Sequence, residues 1–209
     1  MGPIVQELTP PVDPDRDHWR GGEHAPVTLV EYGDYECPYS RLAFCAIQRL
    51  GTELDERLRF AFRYLPLTAI HPHALVAAHL AEAAALQGRF WPMHELLFQH
   101  HKALESADLW GYADQLGLDR QRLAADLDSP RVQQRVQADA DSALKAAPAA
   151  PRPCFSTGGG TLAATTKRLW VRRWPPRTRS GDDAELPPRL SVLLGVAALE
   201  GILCREGPG

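Results

Sequence analysis

The stretch Val27-Thr28-Leu29-Val30-Glu31-Tyr32-Gly33-Asp34-Tyr35-Glu36-Cys37-Pro38-Tyr39-Ser40-Arg41 decides the fold. Its first six residues are a short β-branched run of strand type. Gly33 and Asp34 end that strand, and Pro38 pre-sets the first turn of a helix predicted over residues 38–54, with Phe44, Ile47, Leu50 and Leu54 on one stripe. Leu58-Arg59-Phe60-Ala61-Phe62-Arg63 alternates large apolar with smaller or charged residues, the period-2 mark of a half-buried strand. Strand, helix and strand in so short a span make a βαβ unit with a parallel pair.

Outward from this unit the chain turns helical. Helices are expected over Pro72–Gln87, Phe90–Leu104, Ala107–Leu116, Arg120–Leu127 and Arg131–Lys145, with Gly88 and Gly117 as separators and Asp119 as a cap. Two strands cannot bury both faces of a sheet, so further strands are expected. Residues 1–22 are rich in Pro and Asp and read as an extended leader, and residues 23–147 as the domain.

Charge and composition mark off residues 148–209. From residue 146 the chain holds nine Lys and Arg against five Asp and Glu, and eight of its eighteen prolines; the preceding 145 residues carry a net charge of −7. This atypical tail is rich in Pro, Arg and Gly. Over all 209 residues the net charge is −3, with 44% hydrophobic and 23% charged residues, an ordinary globular balance that disfavours a nucleic-acid or anionic-membrane partner. No run approaches the roughly eighteen apolar residues of a membrane-spanning helix, and Met1–Leu8 has no basic and apolar leader pattern. The expectation is a cytoplasmic chain whose four cysteines, Cys37, Cys45, Cys154 and Cys204, are free thiols.

Cys37 falls at the N-terminus of the first helix, where unpaired N–H groups and the helix dipole favour a thiolate. Arg41 adds to this, and Asp34 and Glu36 oppose it. Taken alone, a cysteine before a helix is more often an inert buried residue. His71, His73, His100 and His101 lack the i, i+4 spacing of a helical metal site and read as surface or capping histidines; no metal is expected. Trp91, Met93, Leu96, Leu97 and Phe98 read as helical core, and the Arg168–Arg179 cluster carries no assigned role.

From about Asp17 to Lys145 the chain resembles the DsbA-like family of thioredoxin-fold thiol–disulfide oxidoreductases. The resemblance rests on Ala25 through Tyr39, on Phe62-Arg63-Tyr64-Leu65-Pro66-Leu67, on Ile70-His71-Pro72-His73-Ala74 and on Gln87-Gly88-Arg89-Phe90-Trp91-Pro92-Met93-His94, in that order and spacing. It implies an α/β, thioredoxin-like fold with a helical insertion, and Cys37 as the attacking thiol. Pro38 and Tyr39 would shape its turn. Where the family's motif ends in a second cysteine this chain has Ser40, which can donate a hydrogen bond to the Cys37 sulfur. Cys45 cannot substitute, because eight helical residues rise about 12 Å, beyond the roughly 7 Å limit for a bridge.

The resemblance therefore implies a monothiol enzyme whose substrate is a thiol or disulfide protein or glutathione. The resemblance implies no cofactor, with glutathione expected as a co-substrate. The alternatives are a glutathione-binding isomerase or transferase of the same fold, in which Ser40 activates the glutathione sulfur, and a decayed scaffold without activity.

The tail departs from the family. In place of its Gly-Thr-Pro-Thr segment, strand, hairpin and helix, the chain reads Ala149 to Gly160, with Pro151 and Pro153 in the position of the substrate-facing loop. The C-terminal strands and helix of the fold are expected to be missing or disordered, with Leu186–Cys204 as a substitute helix. Joining each codon's third base from Ala149 on to the next codon's first two permits Gly-Thr-Pro-Thr-Leu-Phe-Phe-Asn-Gly, the absent family segment. The inference is a frameshift close to Lys145, in the gene or in its sequencing. Nucleotide sequencing that confirms the present frame, with no shift in close relatives, would rule out a sequencing error but not an ancient event; a one-base discrepancy there would establish the error.

Overall fold

The computed structural model describes residues 10–146 and 190–194. They form one sheet flanked by helices. In chain order the elements are β1 (His18–Gly21), β2 (Val27–Gly33), α1 (Pro38–Leu54), a 3-10 turn at Asp55–Arg57, β3 (Leu58–Tyr64), α2 (Ala74–Ala85), α3 (Phe90–Gln99), α4 (Ser106–Gln115), α5 (Arg120–Leu127), α6 (Pro130–Ala146) and β4 (Leu190–Leu194). The strand order is β1-β3-β2-β4. β2 runs parallel to β3, with Leu29 opposite Phe60 and Gly33 opposite Tyr64, as the βαβ reading requires.

Three expectations need correction. The leader is not merely extended: His18–Gly21 pairs antiparallel to β3, His18 opposite Phe62 and Gly21 opposite Arg59, and so closes that edge of the sheet. β3 is not half-buried, because α6 and residues 12–19 cover its second face. Within the proposed substitute helix, Leu190–Leu194 is a strand parallel to β2, Val27 opposite Leu190 and Glu31 opposite Leu194. Once β3 has taken one edge of β2, the other edge still presents unpaired N–H and C=O groups, and a β-branched and leucine-rich segment can satisfy them. The remainder of the tail, with Pro151 and Pro153, lies outside the described residues.

The helices follow the predicted pattern closely. α1 and α5 have the predicted bounds, and the Asp119 carboxylate caps α5 by accepting from Arg122 N–H at 3.0 Å. α3 ends at Gln99, five residues short of the expected Leu104, because the chain turns at His100, whose C=O accepts from Ala103 N–H at 2.7 Å. On one face of the sheet Leu29, Phe60, Phe62 and Tyr64 pack with Phe44 and Ile47 of α1 and with α2 and α3. On the other, Val30, Tyr32 and Ala61 pack against Ala143 of α6, with Val12 and Trp19 of the leader.

Arg63 locks the leader to this second face. Its side chain is fully buried, and all five of its N–H groups donate: Nε to Asp17 Oδ1 (3.1 Å), Nη1 to Pro10 O (3.0 Å) and the Tyr32 hydroxyl (2.9 Å), Nη2 to Pro11 O (2.8 Å) and Asp17 Oδ2 (2.7 Å). Asp139 of α6 joins the network by accepting from Arg16, from Arg135 Nε (3.2 Å) and from Tyr64 N–H (3.3 Å).

Burial works to raise the Asp17 carboxyl, but the Arg63 bonds, the Asp13 N–H and the charges of Arg63 and Arg135 hold it below the usual carboxylate range. A depressed acid stabilises the fold above its ordinary value of 3.8, and that contribution is lost as pH falls through the lower folded-state value. Asp17→Ala strands a buried guanidinium and is expected to cost about 3 to 5 kcal/mol in urea unfolding at pH 7. The deficit should shrink in acid below pH 3.8, and an unchanged midpoint at pH 7 would refute the locking role.

Candidate functional site

The site is built where β2 ends and α1 begins. Gly33 must be glycine there, since a Cβ would stand 2.4 Å from the Phe62 ring. Asp34 then organises the turn. Its C=O accepts from Cys37 N–H at 3.1 Å, and its Oδ1 accepts from Glu36 N–H at 2.8 Å. Its Oδ2 accepts from Leu67 N–H at 2.9 Å and from His71 Nδ1–H at 2.7 Å.

Cys37 occupies the N-cap of α1 with extended backbone (φ −75°, ψ 122°), and Pro38 follows inside the first turn. The Cys37 C=O accepts the first helical bond, from Arg41 N–H at 3.0 Å. No side chain caps the helix and no acidic residue lies in its first turn, so nothing inside α1 offsets the positive end of the dipole near the sulfur. Cys37 is 2% exposed, whereas Tyr39 and Leu42 beside it are 65% and 61% exposed.

Ser40 is one turn into α1, and its hydroxyl oxygen accepts from Asp34 N–H at 3.2 Å. No hydrogen bond to the Cys37 sulfur is present among the described residues, so Ser40 braces the turn from the helix side. Glu36 is likewise engaged away from the helix. Its Oε2 accepts from His73 N–H at 2.7 Å and its Oε1 from His73 Nδ1–H at 3.2 Å. The two carboxylates expected to oppose a thiolate thus face His71 and His73 of the segment before α2. Cys45, on α1, is a half-buried free thiol.

Sequence reasoning missed the groups beneath the turn. Glu31 of β2 is fully buried, neither carboxylate oxygen has a hydrogen-bond partner among the described residues, and burial pushes its acid up from 4.5 to about 8. The signal was present: an acid inside a central strand covered on both faces, where an uninterrupted apolar run is the rule. His94 of α3 is also fully buried, its Nδ1 bonded to the Tyr35 hydroxyl at 3.1 Å and its Nε2 without a partner among the described residues. The rings of Phe62, Phe98 and Trp91 stand 4.6, 5.0 and 5.3 Å from its own. Burial, with the charges of Arg20 and His18, drives its pKa well below the histidine range, so it is a neutral imidazole at neutral pH. Among the described residues no group of three or more His, Cys, Asp and Glu is arranged to hold a metal ion.

Comparison with known proteins agrees with this geometry. A family model described as thioredoxin matches residues 13–167. The chain is 51% identical over 139 residues to the Na(+)/H(+) antiporter NhaA 1 of Salinispora arenicola, covering 66% of this chain and 21% of that protein. It is 47% identical over 155 residues to the Na(+)/H(+) antiporter NhaA of Herminiimonas arsenicoxydans, covering 74% and 24%. The chain thus spans between a fifth and a quarter of the length of these curated relatives. Among solved structures it resembles a thioredoxin-like oxidoreductase from Silicibacter pomeroyi (TM-score 0.57, 29% identity, 64% of this chain and 75% of that one). It also resembles DsbA2 of Pseudomonas aeruginosa (TM-score 0.52, 25% identity, 62% and 73%).

The elevated Glu31 acid has a measurable consequence. A buried acid raised above its unfolded value binds a proton in the folded state that the unfolded chain has released, so stability falls as pH climbs from 4.5 to about 8. Glu31→Gln removes the titration and is expected to stabilise the chain by up to about 3 kcal/mol at pH 7. The gain should vanish below pH 4.5 in urea melts; a pH-independent difference would refute the assignment.

Proposed function

Because the chain belongs to the thioredoxin family, we propose that it performs thiol–disulfide exchange through the single nucleophile Cys37, with glutathione as the resolving thiol. The observation that carries this reading is Cys37 at the N-cap of α1, with no acid in the first turn and Ser40 where a second cysteine would close a dithiol. The helix terminus favours the thiolate form, the nucleophilic one.

The steps balance as follows. The Cys37 thiolate attacks one sulfur of a substrate disulfide, forming a mixed disulfide and expelling the other sulfur as a thiolate that takes a proton. A glutathione thiolate then attacks the Cys37 sulfur, releasing the second substrate thiol. A second glutathione attacks the bound glutathione sulfur and restores Cys37. Overall one disulfide is reduced to two thiols, and two glutathiones are oxidised to one glutathione disulfide. Glu31, protonated at pH 7 and buried at the end of β2 before the turn, keeps negative charge out of the core below the site. The exposed Tyr39 and Leu42 beside Cys37 favour a polypeptide as the disulfide substrate, since each offers an apolar side chain to be covered on docking.

The antiporter relatives favour a second, compatible reading of the setting. Proteins named Na(+)/H(+) antiporters contain a stretch up to 51% identical to this chain, which supports thiol exchange in the service of an ion-transport protein. Its test is whether the chain reduces a disulfide introduced into such an antiporter faster than the Cys37→Ser chain does.

Incubation with glutathione disulfide, followed by peptide mass spectrometry, is expected to place one glutathione on Cys37 and none at that position in Cys37→Ser. Ser40→Cys should close an internal disulfide instead and raise reduction of a protein disulfide at least about tenfold, since the resolving thiol is then intramolecular. Glutathione found only on the other cysteines would refute the proposal.

A further inference from the structure

One flank of α1 has no cover among the described residues. Periodicity groups Leu50 with Phe44 and Ile47 as a buried stripe, yet Leu50 is 37% exposed where Phe44 and Ile47 are 7% and 2%. The rotation of α1 explains the difference. Phe44 and Ile47 face the sheet, while Gln48 turns to α3 and donates to Glu95 Oε1 at 3.3 Å. At about 100° per residue, Ala43, Ala46 and Leu50 lie roughly 140–160° round the helix from Gln48. They line the flank away from α3, Ala43 half-buried and Ala46 and Leu50 exposed. Apolar residues at i, i+3 and i+7 are the spacing that a second helix packs against, and the exposure of Ala46 and Leu50 shows that no described element fills this seam.

The sheet shows which part of the chain arrives there. Arg20 of β1 bonds Glu95 at 2.9 Å, so α3 lies on the β1 side of α1. In the strand order β1-β3-β2-β4 the opposite flank is the β4 side. β4 runs parallel to β2 with Leu194 opposite Glu31, so the chain leaves β4 at the end of the sheet where α1 begins. The other face of the sheet is already covered by α6 and residues 12–19. Residues 195–209 lie outside the described residues, and their sequence matches the seam. Gly195 suits a reversal directly after the strand. Val196, Leu199 and Leu203 then repeat the i, i+3, i+7 spacing of Ala43, Ala46 and Leu50. A segment that turns back from β4 travels in the direction of α1, so the two sets run in register, with large residues against small at the first two positions.

We propose that residues 196–204 dock as a helix on this flank of α1, Val196 beside Ala43, Leu199 beside Ala46 and Leu203 beside Leu50, and complete the core on the β4 side. The occupant of the seam is thus a segment of the chain itself. Its docking braces the helix that starts at Cys37, and it leaves Leu42, which is 61% exposed on the outward face of α1, free to meet a substrate. The flank is a packing surface whether or not Cys37 exchanges disulfides, so this inference and the proposed activity can fail separately.

The test uses the full chain with its four cysteines changed to Ser and a single reporter thiol, Ala46→Cys on the seam or Gln137→Cys on the exposed side of α6 as control. Protection is the alkylation rate in the urea-unfolded chain divided by that in the native chain. Ala46→Cys is expected to be protected at least about tenfold more than Gln137→Cys, as for a thiol reached only when the segment undocks. Leu199→Asp with Leu203→Asp should abolish that excess and leave Gln137→Cys unchanged. A second measurement stands even if the aspartate chain does not fold: Leu50→Cys with Leu203→Cys should oxidise to an intrachain disulfide at a rate independent of protein concentration, whereas Gln137→Cys with Leu203→Cys should not. Equal protection of the two reporters, or protection untouched by the aspartates, would overturn the inference. So would a disulfide joining two chains at a rate that rises with concentration, which would make a second copy the occupant.

Discussion

The structure depends on a buried guanidinium that cannot be left partly satisfied. Arg63 sits near the end of β3 with no exposure, and a charge so placed is tolerable only when paired and hydrogen-bonded throughout. Its five donors are matched by Asp17, Tyr32 and the carbonyls of Pro10 and Pro11, so the leader has to cross the sheet where it does. That crossing sets β1 against β3. Through Asp17, Arg16 and Asp139 the same network ties in α6, which covers the second face. With both faces covered, β2 and β3 are held in a fixed parallel register, and their ends deliver the two segments of the site: Gly33–Cys37 from β2 and Leu65–His73 from β3.

The site has opposite electrical characters above and below Cys37. Beneath it lie groups that burial keeps neutral: Glu31 as the acid, His94 as the free imidazole, and Tyr35 with its phenol pushed well above 10. Beside it lie hydrogen-bonded pairs, Asp34 with His71 and Glu36 with His73. Pairing matters because unpaired carboxylates at these two positions would cancel the benefit of the helix terminus. In the folded chain both carboxylates are turned to histidines by hydrogen bonds, and the positive end of α1 is left to act on the sulfur. A thioredoxin fold with oxidoreductases among its structural neighbours thus carries Cys37 at the start of α1 with Ser40 three residues further on.

The local part of this architecture was legible in the sequence. The bounds of α1 and α5 follow from Pro38, Asp119 and the 3.6-residue spacing of apolar positions, because helical hydrogen bonds and caps are made within a few residues. The parallel β2–β3 pair follows from strand, helix and strand in close succession. Harder to read were the elements whose partners are remote. β1 is four residues long in a Pro- and Asp-rich segment, and it exists because β3 offers an edge. β4 is a strand because β2 offers another, although Leu and Val in that segment suit a helix as well. Arg63 marked an outward-facing position by periodicity and is instead fully enclosed, since periodicity records which faces alternate and not what covers them.

For the site, the sequence by itself determined Cys37 at a helix start, Ser40 three residues on and the presence of His71 and His73 in order before α2. It could not determine what these groups touch. That Ser40 accepts from Asp34 N–H, that the histidines face Asp34 and Glu36, and that Glu31 and His94 are sealed in the core were decided by the tertiary structure. The physical reason is range. Helix caps and turn residues act over a few positions of chain, whereas the charge state of a side chain is set by burial and by partners more than thirty residues away, 37 in the case of Asp34 and His71.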